Sequence, residues 1–253
     1  MEIKKQNVVP DTWQSLKTFT NARIALGRTG VAMPLKEVLA LKLSHTLARD
    51  AVYSLLDIDT LIISLNQFQL PAVVVKSSAT DRSIYLQRPD YGRHLDIFSH
   101  KKLKEKGVTV VDVVIILADG LSATAVNEQA VPLLEKLIPL LKKLNLSIAP
   151  VILAEQARVA LADSIGSLLK ARLSLILIGE RPGLSSPHSM GAYITYQPFP
   201  GLTDESRNCI SNIQPEGLGY HEAAEKIVEL IQAALQLKMS GIHLKEEKRT
   251  IDK

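Results

Sequence analysis

The turn after the apolar run Leu173–Ile178 carries the side chains best suited to bind a ligand. The run is apolar on both faces, which is typical of a central parallel strand covered by helices. Glu180 and Arg181 follow at once, in a turn that Pro182 stiffens. Because open α/β sheets bind ligands beyond the carboxyl ends of their strands, this turn is predicted to line a binding site. The alternative is a structural ion pair between the two side chains.

Two more polar turns are expected at the same edge of the sheet. Residues 119–122 (DGLS) follow one apolar strand, and residues 155–158 (EQAR) follow another. Taken alone, the first is more typical of a turn and a helix N-cap than of a ligand site. Together with the turn at Glu180, both are predicted to converge on one crevice, which favours a binding site.

The elements that must position these turns follow a strand, loop, helix rhythm from Val108 onward. This rhythm is typical of βαβ units and a parallel sheet. Residues 71–253 are therefore predicted to form an α/β domain with a doubly wound, mostly parallel, Rossmann-like sheet, opened by a β-hairpin at residues 73–86. The predicted strands cover residues 108–117, 147–154, 173–178 and 192–198, and the predicted helices cover residues 124–144, 158–171 and 221–239.

Ahead of the sheet, residues 1–70 are predicted to form an N-terminal helical lobe. One helix is expected from Asp11 to Gly27, and a longer one from Leu35 to about Leu56, after a proline in its favoured first-turn position. The longer helix is richer in leucine than a single stripe packed on its own domain requires. The lobe is therefore expected to dock a partner.

Composition excludes several classes of function. Aromatic residues make up only 4% of the chain, and the net charge of +4 is not gathered into a basic stripe, so no nucleic-acid partner is expected. The single cysteine, Cys209, rules out an internal disulfide framework and fits a reducing cytosol. No run reaches the roughly 18 apolar residues of a membrane span. We therefore expect an intracellular protein without a membrane partner.

Common catalytic motifs do not occur in the sequence. There is no G-x-x-x-x-G-K-[ST], and residues 217–219 (GLG) lack the remaining features of a dinucleotide site, so ATP and NAD are disfavoured. A string that starts like H-E-x-x-H at His221 ends in Glu225, so the second zinc-binding histidine is missing. There is no G-x-S-x-G, and Cys209 has no marked catalytic partner. No catalytic residue and no metal ligand is predicted.

Four irregular motifs nevertheless occur in a specific order. They are RPDYGRHL at 88–95, ADGLSATAV at 118–126, LILIGERPGL at 175–184 and NCISNI at 208–213. With them, from about residue 11 to 244, the chain closely resembles the small (light) subunit of adenosylcobalamin-dependent ethanolamine ammonia-lyase.

This resemblance implies that the chain is one part of an enzyme. In that family a large TIM-barrel subunit carries the substrate site, and the small subunit supplies part of the adenosylcobalamin pocket. The implied reaction starts with homolysis of the cobalt–carbon bond and converts ethanolamine to acetaldehyde and ammonia. The family's cobalamin-binding positions correspond here to Val159, Glu180 and Cys209. The implied location is the cytoplasm, within a bacterial microcompartment.

Two points refine the expectation. Residues 186–191 (SPHSMG) have serine where base-displaced cobalamin proteins have the aspartate of Asp-x-His-x-x-Gly, so the resemblance implies binding without a histidine on cobalt. A non-catalytic assembly adaptor with the same fold remains the alternative function. An unrelated doubly wound enzyme fits less well, because phosphate-binding glycines are missing. The presence of Glu180, Arg181 and Cys209 together favours the lyase subunit.

Overall fold

The computed structural model describes residues 8–106 and 109–244, and six strands in this part of the chain form one sheet. The strands are β1 (Ala72–Lys76), β2 (Val111–Ala118), β3 (Val151–Glu155), β4 (Ala171–Gly179), β5 (Met190–Tyr196) and β6 (Arg207–Ile213). The helices are α1 (Leu35–Tyr53), α2 (Ile58–Leu65), α3 (Arg82–Gln87), α4 (Ile97–Lys106), α5 (Ala123–Lys143), α6 (Leu161–Leu168) and α7 (Tyr220–Leu237).

The sheet is mixed, with strand order β1-β3-β2-β4-β5-β6. The first four strands in this order pair in parallel, whereas β5 pairs antiparallel with β4 and with β6. A short connection, residues 180–189, returns the chain beside β4, and short connections join antiparallel strands. The predicted α/β class is confirmed, but the doubly wound, Rossmann-like description is not.

Hydrophobic clusters cover both faces of the sheet. Ile115 belongs to the cluster that packs under α5 and α7, and its neighbour Ile116 belongs to the cluster under α4 and α6. Successive side chains of β2 therefore point to opposite faces, and both faces are buried. This arrangement explains the unbroken apolar runs from which the central strands were predicted.

The hairpin predicted at residues 73–86 is wrong. Its first half is β1, but β1 pairs with β3, and its second half is the helix α3. The carboxylate of Asp81 accepts a hydrogen bond from the backbone N–H of Ile84 at 2.9 Å and so caps this helix. Residues 80–81 are consequently a helix start and not a hairpin tip.

The helix predicted between Asp11 and Gly27 is also wrong. Asp11 does accept a hydrogen bond from the N–H of Trp13, but only a short 3₁₀ helix follows, at Gln14–Thr18, and it buries no residue. Short isolated helices are marginal in water, so a cap without packing does not extend them. The second helix of the lobe is confirmed as α1. The division into residues 1–70 and 71–253 stays a prediction, and residues 1–7, 107–108 and 245–253 lie outside the described residues.

A buried ion pair ties α6 to β6. Arg207 donates to Asp163, and each side chain is only 2% exposed. Replacing Asp163 with alanine is expected to lower the free energy of unfolding by about 3–5 kcal/mol, because the buried guanidinium of Arg207 loses its buried counter-charge and keeps only the exposed Asp204 as an ion-pair partner. Urea denaturation measures this loss. The control is Asp90→Ala, which breaks the exposed Arg88–Asp90 pair and should change stability little. Equal effects of the two substitutions would contradict the prediction.

Candidate functional site

As the sequence predicted, the turns after β2, β3 and β4 meet around one cavity. Its volume is about 420 Å³. The position is the one where open α/β sheets usually bind ligands. The lining residues are Tyr85, Gly120, Leu121, Arg158, Val159, Ile178, Gly179, Glu180, Arg181 and Tyr193.

Two glycines let the first and third turns touch through their backbones. A Cβ atom at Gly179 would lie 1.9 Å from the carbonyl oxygen of Ser122, and one at Gly120 would lie 2.2 Å from that of Gly179. Gly120 also has a φ of +56°, which side chains disfavour. The N–H of Leu121 donates to the carbonyl of Gly179 at 2.9 Å. This close approach fixes the backbone of the two turns relative to each other, next to Glu180.

Glu180 links the turn after β4 to the end of β6. Its Oε2 accepts hydrogen bonds from the hydroxyl of Ser189 and from the N–H of Asn212. No hydrogen bond among the described residues ends on Oε1, and the described ion pairs do not join Glu180 to Arg181. The structural Glu–Arg pair considered above is therefore not what holds this turn. One carboxylate oxygen is fixed by the protein, and the other can accept from a ligand.

Val159 lines the cavity, whereas Cys209 lies beside it. Cys209 is exposed on β6 and sits opposite Tyr193, which does line the cavity. Desolvation raises the pKa of the Cys209 thiol, the charge of Glu180 raises it further, and a hydrogen bond with Tyr193 acts in the opposite direction. The thiol is therefore protonated at neutral pH and can act as a small contact surface, not as a nucleophile.

Tyr85 is a site residue that the sequence did not reveal, and it packs against Arg158, which the predicted turn at residues 155–158 had placed at the crevice. Tyr85 is fully buried, and the guanidinium carbon of Arg158 lies 4.2 Å from the centre of its ring. The Nε atom of Arg158 is buried without a hydrogen-bond partner in the described structure. Since this atom is closed off from solvent, other atoms of the Arg158 side chain line the cavity. Tyr85 was missed because its segment was assigned to a hairpin, although the cap at Asp81 signals a helix.

Two further features bear on the chemistry of the described residues. Histidine, cysteine, aspartate and glutamate side chains do not gather there into a group of three or more that could hold a metal. Among the helices in this part of the chain, none has the length and apolarity needed to cross a membrane.

Comparison with known proteins identifies the family to which these residues belong. The family model described as "Ethanolamine ammonia-lyase light chain (EutC)" matches residues 10–245. The chain belongs to the family of ethanolamine ammonia-lyase small subunits. The resemblance inferred from the four motifs is thereby confirmed.

Individual relatives agree over almost the whole chain, and all three below are named "Ethanolamine ammonia-lyase small subunit". The relative from Pseudomonas paraeruginosa is 47% identical over 238 residues, which cover 93% of this chain and 87% of the relative. The relative from Ralstonia nicotianae is 47% identical, with 94% and 90% covered. The relative from Azotobacter vinelandii is 48% identical, with 93% and 88% covered.

Proposed function

We propose that this chain is the small subunit of an adenosylcobalamin-dependent ethanolamine ammonia-lyase and that its cavity forms part of the cobalamin pocket. The observation that carries the proposal is the placement of Val159 and Glu180, two of the family's cobalamin positions, in the wall of a single cavity. The third position, Cys209, adjoins that wall through Tyr193.

The chemistry of the wall fits this cofactor. Leu121, Val159 and Ile178 offer apolar surface to the edge of a corrin ring. Arg158 and Arg181 line the cavity, and their guanidinium groups can donate to amide oxygens or to the phosphate of the nucleotide tail. Glu180 can accept from amide N–H groups of the corrin side chains. Apolar walls with a few convergent polar groups are typical of cofactor sites.

The size of the cavity implies a shared pocket. A volume of about 420 Å³ lies within the range of roughly 300–1,000 Å³ that holds drug-sized ligands. A corrin with its nucleotide tail is larger than such ligands. This chain would therefore enclose one part of the cofactor, and a large subunit with the TIM-barrel fold would enclose the rest. Location in the cytoplasm, within a bacterial microcompartment, belongs to the same proposal.

The residues of this chain bind and orient the cofactor and do not react. When bound, adenosylcobalamin supplies the organic radical chemistry that turns ethanolamine into acetaldehyde and ammonia. Glu180 is held by Ser189 and Asn212, so its free oxygen presents an acceptor at a fixed position. Leu121 and Val159 exclude water from the side of the cofactor that they cover.

The surface of α1 is the proposed docking site for the large subunit. Among the 19 residues of this helix, Ala51 is the one that is buried. Helices in proteins are stabilised chiefly by packing, so α1 as described lacks most of the burial that would hold it. The docking surface consists of the exposed leucines Leu35, Leu39, Leu43 and Leu47.

Replacing Glu180 with glutamine tests the cobalamin proposal. Glutamine keeps a carbonyl oxygen for Ser189 and Asn212 but turns the second oxygen into a donor. In the assembled complex, we expect the dissociation constant for cobalamin to rise by about ten- to a hundredfold, while the two subunits still co-elute. Equilibrium dialysis and gel filtration measure the two quantities.

Glu155→Gln is the matched control, because Glu155 ends β3, pairs with Lys76 and does not line the cavity. It should leave cobalamin affinity unchanged. If Glu180→Gln separates the subunits without changing affinity, Glu180 is a structural residue. If the unmodified complex assembles but binds no cobalamin, the chain is an assembly adaptor and the proposal is wrong.

A further inference from the structure

The carboxylate of Asp119 holds the turn that follows β3. Asp119 stands at the end of β2, 3% exposed, outside the residues that line the cavity. Its Oδ2 accepts the N–H of Gln156 at 2.7 Å and its Oδ1 accepts the N–H of Ala157 at 2.9 Å. Burial raises the pKa of Asp119 to about 6, while these two donors and the Arg82 guanidinium act against that rise. Two N–H donors and a guanidinium directed at the carboxylate favour its ionised form, and hydrogen bonds to a charged acceptor are the stronger kind.

Gln156 has a backbone conformation that needs such support. Its φ is +55°, in the left-handed region that non-glycine residues seldom adopt. Besides Asp119, the hydroxyl of Ser77 donates to its carbonyl oxygen at 2.7 Å, and Arg82 donates to its side-chain oxygen at 3.3 Å. Unfavourable conformations of this kind persist where the surroundings over-determine them, often at functional sites.

Arg82 joins this turn to two other parts of the molecule. Its Nε donates to the carbonyl of Val52 at 2.6 Å, and its Nη1 donates to the carbonyl of Gly120 at 2.8 Å. The same Nη1 lies 3.7 Å from Oδ2 of Asp119, and this ion pair is almost fully buried. The guanidinium therefore braces α1, the turn after β2 and the turn after β3 against one another.

Tyr85 connects Arg82 and the turn after β3 to the wall of the cavity. Its hydroxyl donates to the carbonyl of Ala157 at 3.0 Å, and the guanidinium groups of Arg82 and Arg158 both lie over its ring. The backbone N–H of Arg158 in turn donates to the carbonyl oxygen of Gly92 at 2.8 Å. The turn is thus fixed immediately before the two residues that face the cavity.

We propose that Asp119 and Arg82 are positioning residues: they hold residues 155–157 so that Arg158 and Val159 face the cofactor cavity. The inference rests on the proposed cobalamin-binding function, since it assigns a purpose to the way the turn is held. Asp119 acts through backbone N–H groups and Arg82 through Asp119 and Gln156, so neither needs to touch the cofactor.

The experiment compares Asp119→Asn with Asp112→Asn. Asp112 lies at the other end of β2, far from the cavity. Its carboxylate likewise accepts hydrogen bonds, from the backbone N–H and hydroxyl of Ser147 and from the guanidinium of Arg172, so it serves as the matched control. Hydrogen exchange on the full-length chain reports on the turn itself. We expect the amides of Gln156 and Ala157 to exchange at least about tenfold faster in Asp119→Asn and at the unmodified rate in Asp112→Asn.

The second measurement is cobalamin affinity in the complex with the large subunit. We expect the dissociation constant to rise by about tenfold in Asp119→Asn and not in Asp112→Asn. Arg82→Gln leaves the hydrogen bonds of Asp119 in place, so it should raise the exchange rate and the dissociation constant by less than Asp119→Asn does. If Asp119→Asn does not fold, the Arg82→Gln result tests the inference in its place.

The outcomes separate this inference from the proposed function. Faster exchange with unchanged affinity, or equal exchange in the Asp119 and Asp112 variants, would overturn the positioning role while leaving cobalamin binding intact. An unmodified complex that binds no cobalamin would overturn the proposed function, and the positioning role for the cofactor with it. Parallel loss of protection and affinity confined to Asp119→Asn and Arg82→Gln supports the inference.

Discussion

The chain on its own, supplied with adenosylcobalamin and ethanolamine, is expected to release no measurable acetaldehyde. Its cavity of about 420 Å³ encloses too little space for both the cofactor and a substrate. The polar groups around the cavity come from Arg158, Glu180 and Arg181, and they suit the periphery of a corrin. They do not form a set of side chains that encloses a small amine. Addition of the large subunit is expected to restore turnover, because under the proposed function that subunit supplies the remaining walls of the pocket and the substrate site.

Coupling acetaldehyde to NADH oxidation by alcohol dehydrogenase measures this reaction. The controls are the large subunit alone, which should also be inactive, and the two subunits mixed in increasing ratio, which should reach a plateau at the stoichiometry of the complex. Acetaldehyde released by this chain without the large subunit would place the substrate site here and overturn the division of roles.

The central strands could be predicted from the sequence because their environment is uniform. β2, β3 and β4 are buried on both faces over most of their length, so each contains a mainly apolar run, and polar turns follow at one edge. Convergence of these turns then follows from the geometry of parallel strands. For the same reason, Arg158 and Glu180 could be placed at one crevice from the sequence, whereas Val159 was named only through the resemblance to the family.

β6 could not be predicted as a strand, because its environment changes along its length. Arg207, Ile210 and Ile213 are buried, while the residues between them are partly or fully exposed. A bulge in the pairing of β5 with β6, between Met190 and Ala192, breaks the two-residue alternation on which strand prediction relies. β6 also contains Asn208, whose side chain donates a hydrogen bond to the carbonyl oxygen of Gly241, a contact that local sequence does not indicate.

The positioning contacts were invisible to sequence patterns for a different reason. Arg82, Asp119 and Gln156 come from three separate segments, and each looks ordinary within its own segment. Only the packing of α3 against the sheet edge brings them together, and that helix was assigned to a hairpin. Contacts of this kind depend on tertiary structure, which local propensity does not encode.

Replacing both Leu39 and Leu43 with glutamate is expected to abolish assembly with the large subunit while the chain still folds. The two side chains are 55% and 60% exposed, so the substitutions remove little packing within this chain. At an interface, each would place a charge against apolar surface, at a cost of about 2 kcal/mol or more. Together they should weaken the complex by about a thousandfold. Co-purification and analytical ultracentrifugation measure the loss.

The double substitution His45→Glu and Arg49→Glu is the matched control. Both positions are exposed on α1 at the same four-residue spacing, outside the leucine row, and the change adds at least as much negative charge. If the row of leucines is the docking surface, the control complex should form and the Leu39/Leu43 variant should not. If both complexes form, the large subunit docks elsewhere. If neither forms, overall charge on α1 decides assembly, and the apolar row has no specific part in it.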